Sequence, residues 1–318
     1  MYYIGIDVGG TNLVAGLVDE LGHIFNKVNT PVSKDMTAEQ FAGELVRMAK
    51  RLCEVGEVDP SQIESVGIGL PGVVDNKSGL FVQNPNMPFR DRDVPLRKMF
   101  RKEWEIPVFL GNDANCAAVG EYWAGAAKGC DPAMLITLGT GIGGGLILDG
   151  KLFTGFANAG MEVGHMIIQP NGILCGCGSR GCWERYGSAT ALIQLTRLEM
   201  ERERNSELWT LVDGDSYKVQ GRTPFQAARL GDAAAKRVLN NYLQGLSIGM
   251  INLVNMLQPE IICLGGGVSN AEDDLLLNPL RELVWNGSFD KNHRVRIEKA
   301  SLGNDAGVVG AALLCNLV

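Results

Sequence analysis

Short apolar runs and glycine turns alternate at the start of the chain. Tyr2–Asp7 and Leu13–Val18 are rich in aliphatic and aromatic residues, and Gly9-Gly10-Thr11 separates them. Runs of this kind on either side of a glycine turn favour two strands joined in a hairpin. The pattern therefore predicts that the fold begins with a β-hairpin.

Helical spacing follows the hairpin. Thr37 and Gln40 match a capping box, and four apolar residues then recur on one helix face: Phe41, Leu45, Met48 and Leu52. Strand-like runs return at 65–69 and 107–110. The second run leads into Asn112-Asp113-Ala114-Asn115 and an alanine-rich helix to about residue 127. Asp113 is therefore expected at the carboxyl end of a strand.

A second strand, glycine turn and strand lie at 134–138, 139–144 and 145–148. Two such units about 130 residues apart suggest two lobes of related topology, with the active site in the cleft between them. Further helices are predicted at 188–202, 223–231, 232–257, 273–285 and after 303–305, with strands at 260–264 and 294–298 and a surface loop at 203–222. We expect a small lobe of residues 1–117 with the returning helix 303–318, and a large lobe of residues 118–302 that carries a cysteine-rich loop.

Composition places the chain among globular proteins. It has 318 residues, is 46% hydrophobic and carries a formal net charge of −7 without a dense stretch of Lys or Arg. An acidic chain without a basic stripe is a poor partner for nucleic acid. The sequence contains no run of 18 apolar residues, and no basic leader precedes the first strand. We therefore expect a cytoplasmic protein that binds neither nucleic acid nor membranes.

The 41 glycines gather in clusters, and one cluster imitates a dinucleotide motif. Gly-x-Gly-x-x-Gly occurs over 139–144, but Leu146-Ile147-Leu148 is strand-like where that motif needs a helix. A Walker-like pattern ending at Gly150-Lys151 has Leu152 where Ser or Thr must bind magnesium. The signature segments of protein kinases are also absent from the sequence. These glycines therefore indicate another kind of phosphate site.

Two of the glycine turns also contain threonine, at Gly9-Gly10-Thr11-Asn12 and Gly139-Thr140-Gly141. Either turn alone is equally well explained as a tight hairpin, but each can also point N–H groups and a hydroxyl at phosphate oxygens. Asp7 ends the first strand, where its carboxylate can hold Mg²⁺ directly or through water. Gly265-Gly266-Gly267, after another strand, lets adenosine lie close to the backbone. Together these features predict a site for ATP and Mg²⁺.

Three of the eight cysteines are crowded together at 175–182. In a chain without a secretion signal, such a cluster more often binds metal than forms disulfides. Cys175, Cys177 and Cys182 with His165 make a Cys₃His set suited to structural, tetrahedral Zn²⁺. The remaining cysteines are expected to be small buried side chains: Cys53, Cys116, Cys130, Cys263 and Cys315.

Six segments, in order along the chain, resemble the ROK family of sugar kinases and repressors. They are Asp7-x-Gly9-Gly10-Thr11, Gly69-Leu70-Pro71-Gly72, Asn112-Asp113-Ala114-Asn115, Leu138 through Gly145, Glu162-x-Gly164-His165, and Cys175 through Glu184. The resemblance implies an α/β, two-lobed actin/hexokinase-like (ribonuclease H-like) ATPase fold. It also implies an enzyme similar to the bacterial glucokinases of that family, which transfers the γ-phosphoryl group of ATP to the 6-hydroxyl of a hexose, with glucose as the first candidate.

The resemblance also assigns roles to single residues. It implies that Asp113 is the general base and that the sugar is contacted by Gly72, Asn86, Asn112, Asp113, Glu162, His165 and Glu184. Carboxylates and amides suit this task because they pair with vicinal hydroxyls. Asp113 is alternatively a simple helix N-cap. The family is commonly dimeric, so we expect a homodimer.

One departure from the family pattern leaves the identity of the sugar substrate undecided. Phe89 stands near the position where the family's glucokinases often have Trp, so the wall of the sugar site is expected to differ. N-acetylmannosamine, fructose, mannose and allose therefore remain alternatives to glucose, and polyphosphate remains an alternative to ATP.

Other classes of protein fit parts of the pattern. A sugar-responsive transcriptional regulator of the same family needs an N-terminal helix-turn-helix, for which Met1, one residue before the first strand, leaves no room. A sugar-binding module would not need Asp7, both threonine turns and Asp113 together. An ATPase acting on a protein would not need the carboxylates of the cysteine loop.

The segment from His165 to Cys182, called the metal loop, also predicts that metal binding and sugar binding are linked. If His165 binds both zinc and sugar, loss of the metal should weaken sugar binding. ATP binding should change little, because Gly10–Thr11 and Thr140–Gly141 lie in other segments of the sequence.

Overall fold

The computed structural model describes residues 1–33, 35–83, 87, 89 and 91–318, and its contacts divide the chain into two compact units. Unit 1 comprises Met1–Leu135, Gly145–Met161 and Ala300–Val318, and unit 2 comprises Ile136–Gly144 and Glu162–Lys299. Residues 118–135 and 145–161 thus pack with unit 1, although the predicted boundary assigns them to the large lobe. The division into two lobes remains a prediction, because the compact packing of each unit does not show that it moves as a rigid body.

Unit 1 is built on a five-stranded sheet with the strand order β3-β2-β1-β4-β7. Its elements up to α3 are β1 (Tyr2–Val8), β2 (Asn12–Asp19), β3 (Ile24–Pro31), α1 (Ala38–Val55), β4 (Ile63–Leu70), β5 (Val73–Asp75), β6 (Leu80–Gln83), α2 (Leu96–Glu103), β7 (Val108–Asn112) and α3 (Asp113–Ala124). The predicted hairpin and the capping box are confirmed, since Thr37 N–H donates to Gln40 Oε1 at 2.9 Å and Gln40 N–H donates to Thr37 Oγ1 at 3.3 Å. Three features of unit 1 were not predicted from the sequence: β3, the β5–β6 hairpin and α2.

The parallel part of this sheet brings three strand ends to one edge. β1 pairs with β4 so that Asp7 lies beside Gly69, and β4 pairs with β7 so that Leu70 lies beside Asn112. Because parallel strands end at the same edge, Asp7 and the residues after β4 and β7 gather there. Asp113 begins α3 directly after β7, as predicted.

The sheet of unit 1 is buried on both faces. The apolar face of α1, from Phe41 to Leu52, is at most 2% exposed at its four predicted core positions and belongs to the same core as β1 and β4. On the other face lies α10 (Ala306–Ala312), the predicted returning helix. A Cβ at Gly5 would lie 1.9 Å from Val308 O, and one at Gly67 would lie 1.7 Å from Ala311 O. These glycines therefore let the helix rest directly on the strands.

A second sheet has the order β10-β9-β8-β11-β12. The remaining elements are β8 (Ala133–Leu138), β9 (Ile142–Leu148), β10 (Lys151–Leu152), α4 (Glu184–Gly187), α5 (Ala189–Arg202), α6 (Glu207–Thr210), α7 (Thr223–Arg229), α8 (Ala233–Leu257), β11 (Ile261–Gly265), α9 (Leu277–Gly287) and β12 (Arg296–Lys299). The prediction of a loop over 203–222 was wrong in part, because Ser206 caps α6 there through Leu208 N–H at 3.1 Å. None of the helices described is long and apolar enough to cross a bilayer.

The long helix α8 anchors the chain near α4. Trp183 is fully buried, and its Nε1 donates to Gly245 O at 3.2 Å. A Cβ at Gly249 would lie 2.1 Å from the Trp183 ring, so this glycine makes room for the indole. Tyr242 also donates its hydroxyl to Gly187 O at 2.7 Å. The residues that follow the cysteine cluster are thereby fixed to the core of unit 2.

Candidate active site

Two carboxylates, Asp7 and Asp113, lie at the carboxyl edge of the sheet of unit 1. Glycines leave room around Asp7: a Cβ at Gly307 would lie 2.7 Å from its Oδ2, and one at Gly69 would lie 3.7 Å from its Oδ1. Burial, followed by the negative charge of Asp113, raises the pKa of Asp7 to about 6. The charge of Asp113 acts on Asp7 strongly enough to raise its pKa, and two carboxylates that interact in this way suit a divalent ion or a shared proton.

Asp113 retains contact with solvent, but the protein around its carboxylate removes enough hydration to raise its pKa. Ala114 N–H donates to Asp113 Oδ1 at 2.8 Å and opposes this rise. A carboxylate with a raised pKa is a better proton acceptor than one in free solution.

Asn112 is the N-cap of α3. Its Oδ1 accepts from Ala114 N–H at 3.0 Å and from Asn115 N–H at 3.3 Å, and its Nδ2 donates to Gly72 O at 3.0 Å. The capping role considered for Asp113 therefore falls mainly to Asn112. Two of the predicted sugar-site residues, Asn112 and Gly72, are brought together by this bond. Gly72 has a φ of 98°, which favours glycine.

The two threonine turns have the form that the sequence predicts. In the first, Gly9 N–H donates to Asn12 O at 2.9 Å, and Thr11 and Asn12 are exposed. In the second, Gly139 N–H donates to Gly141 O at 3.1 Å, and Thr140 is exposed. Each turn thus presents a hydroxyl and adjacent backbone to solvent.

The third glycine cluster follows β11. Gly265 ends that strand, and Gly266 has a φ of 85°. A Cβ at Gly266 would lie 2.5 Å from Leu138 O, so the backbone needs glycine there whether or not a ligand binds. A Cβ at Gly267 would meet nothing within 4 Å. The predicted adenosine contact therefore stays a prediction.

The four predicted metal ligands form a compact cluster within unit 2. The ligand atoms of His165, Cys175, Cys177 and Cys182 all lie within 4.8 Å of one another. Cys177 Sγ is 3.6 Å from Cys182 Sγ, and Cys175 Sγ is 3.7 Å from His165 Nδ1. Tetrahedral thiolates at Zn–S distances of about 2.3 Å stand roughly 3.8 Å apart, so the donor set and its spacing fit zinc. The cluster can therefore bind a metal ion such as zinc.

The thiols of the cluster share their protons unequally. The N–H of Ser179 helps to lower the pKa of Cys177 to about 7, whereas burial, followed by the neighbouring thiols, raises the pKa of Cys182 to about 12. A thiol with a low pKa is readily converted to the thiolate that metals bind. Nδ1 is the ring nitrogen of His165 that contacts Cys175, so Nε2 is the nitrogen left for another partner.

Glu184 joins this cluster to the second threonine turn. Its Oε1 lies 4.0 Å from Cys175 Sγ, and its Oε2 accepts from Ile142 N–H at 3.1 Å. A Cβ at Gly141 would lie 2.1 Å from the same Oε2. The turn and the metal loop are distant in sequence, but Glu184 connects them in the fold. The expectation that loss of the metal changes ATP binding little stays a prediction.

Fewer contacts are described for the other residues predicted to lie at the sugar site. Glu162 is exposed, and its carbonyl accepts from His165 N–H at 3.0 Å. Asn86 lies outside the described residues. Phe89 is 6% exposed and packs against Phe41 and Phe81, with ring centroids 5.5 and 6.4 Å away. Phe89 therefore belongs to the core of unit 1, and the expectation that the wall of the sugar site differs here stays a prediction.

One residue of this region was missed. Thr190 donates its hydroxyl to Thr140 O at 2.7 Å. Its only signal in the sequence is Ser188, a good N-cap that places Thr190 in the first turn of α5. Nothing local indicates which backbone group the hydroxyl reaches.

Comparison with known proteins identifies the family. The ROK family profile matches residues 3–317. A glucokinase from Thermotoga maritima is 38% identical over 313 residues, which are 97% of this chain and 95% of that protein. A ROK family glucokinase from Streptomyces griseus, crystallised in complex with glucose and AMPPNP, is 36% identical with a TM-score of 0.81, and the match covers 99% of both chains.

A further crystal structure has the same fold. The ROK hexokinase from Thermus thermophilus is 33% identical with a TM-score of 0.81, and the match covers 98% of this chain and 97% of that one. These structures confirm the predicted α/β, actin/hexokinase-like fold class. The chain is a member of the ROK family.

Proposed function

We propose that this protein is an ATP-dependent hexose kinase, a glucokinase that transfers the γ-phosphoryl group of ATP to the 6-hydroxyl of glucose. The observation that carries the proposal is the position of two carboxylates at the carboxyl edge of the sheet of unit 1, Asp7 near the end of β1 and Asp113 directly after β7. The raised pKa of each group agrees with this. The similarity to glucokinases along nearly the whole chain supports the same function.

Asp113 acts as the general base in this proposal. Phosphoryl transfer proceeds through a loose transition state, so the base mainly orients the hydroxyl and takes its proton late. Asn112 caps α3 and thereby fixes the first turn of the helix that carries Asp113. The backbone of Gly72 is tied to the same amide.

Asp7 holds the Mg²⁺ that accompanies ATP, directly or through water. When bound, this ion neutralises charge that builds up on the phosphate oxygens. Thr11, Asn12, Thr140 and Gly141 offer hydroxyl and backbone groups to those oxygens, and the glycines at 9, 10 and 265–267 let the nucleotide approach the backbone. Glu162, His165, Glu184 and Asn86 contact the hydroxyls of the sugar.

Zinc has a structural role in the proposal. The Cys₃His set leaves no ligand position for a reactant, and so the metal orders the loop rather than taking part in the reaction. With Nδ1 on the metal, the imidazole has one tautomer, which leaves Nε2–H as a fixed donor to a sugar hydroxyl. We also keep the homodimer and the cytoplasmic location as predictions, of which light scattering checks the first.

A coupled assay of ADP release tests the function. The substrates are glucose, mannose, fructose, allose, N-acetylglucosamine and N-acetylmannosamine, each with ATP. With polyphosphate as donor no ADP forms, so the sugar phosphate product is measured instead. We expect the largest kcat/KM with glucose and ATP. Release of no ADP with any sugar would contradict the kinase, and a higher kcat/KM with another hexose would contradict the assignment of glucose. A regulator of the same family would bind a sugar without releasing ADP.

A further inference from the structure

One short segment, residues 184–190, holds the second threonine turn through three separate groups. The carboxylate of Glu184 accepts from Ile142 N–H at 3.1 Å. Ala189 N–H donates to Gly139 O at 2.9 Å, and the Thr190 hydroxyl donates to Thr140 O at 2.7 Å. Two successive carbonyls of the turn and the N–H that follows it are thus fixed by the start of α5 and the residues before it.

These bonds determine where the N–H groups of the turn point. A trans peptide is planar, and its C=O and N–H lie on opposite sides. The bond to Gly139 O therefore sets the direction of Thr140 N–H, and the bond to Thr140 O sets the direction of Gly141 N–H. Successive N–H groups aligned in this way form a concave site for anionic oxygens. The Thr190 hydroxyl is the only side-chain group among the donors to these two carbonyls in the hydrogen bonds of the described chain.

The start of α5 is rigid enough to act as a support. Ser188 Oγ accepts from Ala191 N–H at 3.1 Å and caps the helix. Gly187 O is held by the buried Tyr242 hydroxyl at 2.7 Å. A donor on a fixed helix turn restrains its acceptor more strongly than one on a mobile loop does, because little conformational entropy remains to be lost.

We propose that Thr190 is a positioning residue for nucleotide binding, which sets the Thr140–Gly141 peptide so that its N–H faces the phosphates of ATP. The inference rests on the proposed kinase function and adds a residue to it that contacts neither substrate. Its effect should appear in the binding of ATP and not in that of glucose, because among the described residues the side chain of Thr190 bonds to the turn alone.

The experiment compares three variants. Thr190→Val keeps the shape of the side chain and removes the donor, and Thr190→Ser restores a hydroxyl. Thr196→Val is the matched control, since Thr196 lies on the same helix and donates to Leu192 O at 2.8 Å, a bond that does not involve the turn. We measure KM for ATP and for glucose, the affinity for a non-hydrolysable ATP analogue, and Tm.

Loss of one hydrogen bond at a restrained site should raise KM for ATP in Thr190→Val about three- to tenfold, in proportion to the usual strength of such bonds. The affinity for the analogue should fall by the same factor, while KM for glucose changes less than about twofold. Thr190→Ser should recover most of the affinity, and Thr196→Val should change only Tm.

Other outcomes overturn the inference. An unchanged KM for ATP in Thr190→Val, an equal increase for glucose and ATP, or a Thr196→Val variant with the same kinetic defect would each show that Thr190 is ordinary scaffold. Wild-type protein that phosphorylates no hexose would instead refute the proposed function. In that case binding of the ATP analogue still tests Thr190, because the analogue requires no turnover.

Discussion

The acidic pair of unit 1 and the metal loop of unit 2 are assembled by different means. Asp7 and Asp113 stand at the ends of β1 and β7, so the hydrogen bonds of a sheet and the packing of α1 and α10 fix their positions. The residues from Glu162 to Cys182 include a single three-residue helical turn, Val163–His165, and otherwise follow irregular paths with isolated bridges such as Ile167 with Cys182.

Burial therefore fixes the position of the acidic pair, whereas a bound metal is expected to fix the loop. A strand end keeps its place through apolar packing, even at a cost in charge repulsion. A loop with little core of its own depends on its cross-link, so its order should follow metal binding. Substitution of Asp7 or Asp113 should therefore impair the reaction and leave the fold of unit 1 intact. Substitution of a metal ligand should first disorder the loop.

Asp113→Asn should produce the largest effect. The amide keeps the shape of the side chain but cannot accept the proton of the sugar hydroxyl, so kcat should fall about 10²–10⁴-fold. Glucose affinity should stay within about tenfold, because the hydrogen-bonding shape is retained. Steady-state kinetics and glucose titration check both values. Asp149→Asn, at an exposed carboxylate with a φ of 52° that Asn tolerates, serves as the control and should be fully active. Retention of more than a tenth of wild-type kcat in Asp113→Asn would remove the base assignment.

Asp7→Asn should weaken the binding of MgATP and yet stabilise the fold. The pKa of Asp7 is raised from 3.8 to about 6, so its ionised form costs the folded protein about 3 kcal/mol at neutral pH. The amide carries no charge and should recover most of this free energy of unfolding at pH 7.5. The gain should shrink as pH falls through 6 and vanish below pH 3.8, where the wild-type carboxyl is neutral in both states.

Denaturant unfolding of both proteins between pH 4 and 8 measures this difference, with Asp149→Asn again as the control. The sign follows from the raised pKa: the folded state binds the proton more tightly, so lower pH favours the folded wild type relative to its variant. A destabilised Asp7→Asn at pH 7.5 would mean that the carboxylate makes stabilising contacts that outweigh its burial.

The sequence was informative wherever a feature is local. Asp7 before a glycine turn, Asn112-Asp113 after a short apolar run and three cysteines within one short stretch all have spacings that chemistry constrains. Contacts between distant segments left no such trace. The pairing of Gly5 and Gly67 with α10, and the bonds of Glu184 and Thr190 to residues 140–142, depend on how the chain folds back. The spacing of apolar residues along the sequence does not indicate these contacts.

Local patterns also failed where tertiary packing overrides them. The polar stretch at 203–222 has no apolar period, but Leu208 is fully buried and fixes α6. The strand β3 alternates between half-buried and exposed residues and lies at the edge of its sheet, so its apolar signal is weak. Phe89 follows a proline-rich segment that reads as a loop, although its ring lies in the core.

Loss of the metal should weaken sugar and nucleotide binding unequally. Cys177→Ser removes one thiolate, so we expect one zinc per wild-type chain and none in the variant. Release of Glu162, His165 and Glu184 should raise KM for glucose by the equivalent of two or three hydrogen bonds of roughly 0.5–1.5 kcal/mol each. KM for ATP should rise less, by about one such bond, because Glu184 also accepts from Ile142 N–H.

Metal analysis and titration of both ligands check this prediction. Cys315→Ser, a half-buried thiol outside the cluster, should keep its zinc and both affinities. Absence of zinc from freshly purified, unchelated wild type would refute the metal site. Equal glucose affinity in the zinc-loaded and zinc-free forms would show that the loop is remote from the sugar.

The smallest expected effect is the acid limb of the pH profile. Asp7 must be ionised to hold Mg²⁺, and its pKa in the free enzyme is about 6. With glucose saturating and the concentration of MgATP held constant, kcat/KM for MgATP should fall to about half at pH 6 and then about tenfold per pH unit. A bound Mg²⁺ lowers the pKa of its ligand carboxylate, so kcat, which reports the ternary complex, should decline only at lower pH. The separation between the two curves is the test, because a general loss of fold at low pH would lower both together. A flat kcat/KM down to pH 5 would show that Asp7 does not control the binding of MgATP, and coincident curves would assign the acid limb to Asp113 or to unfolding instead.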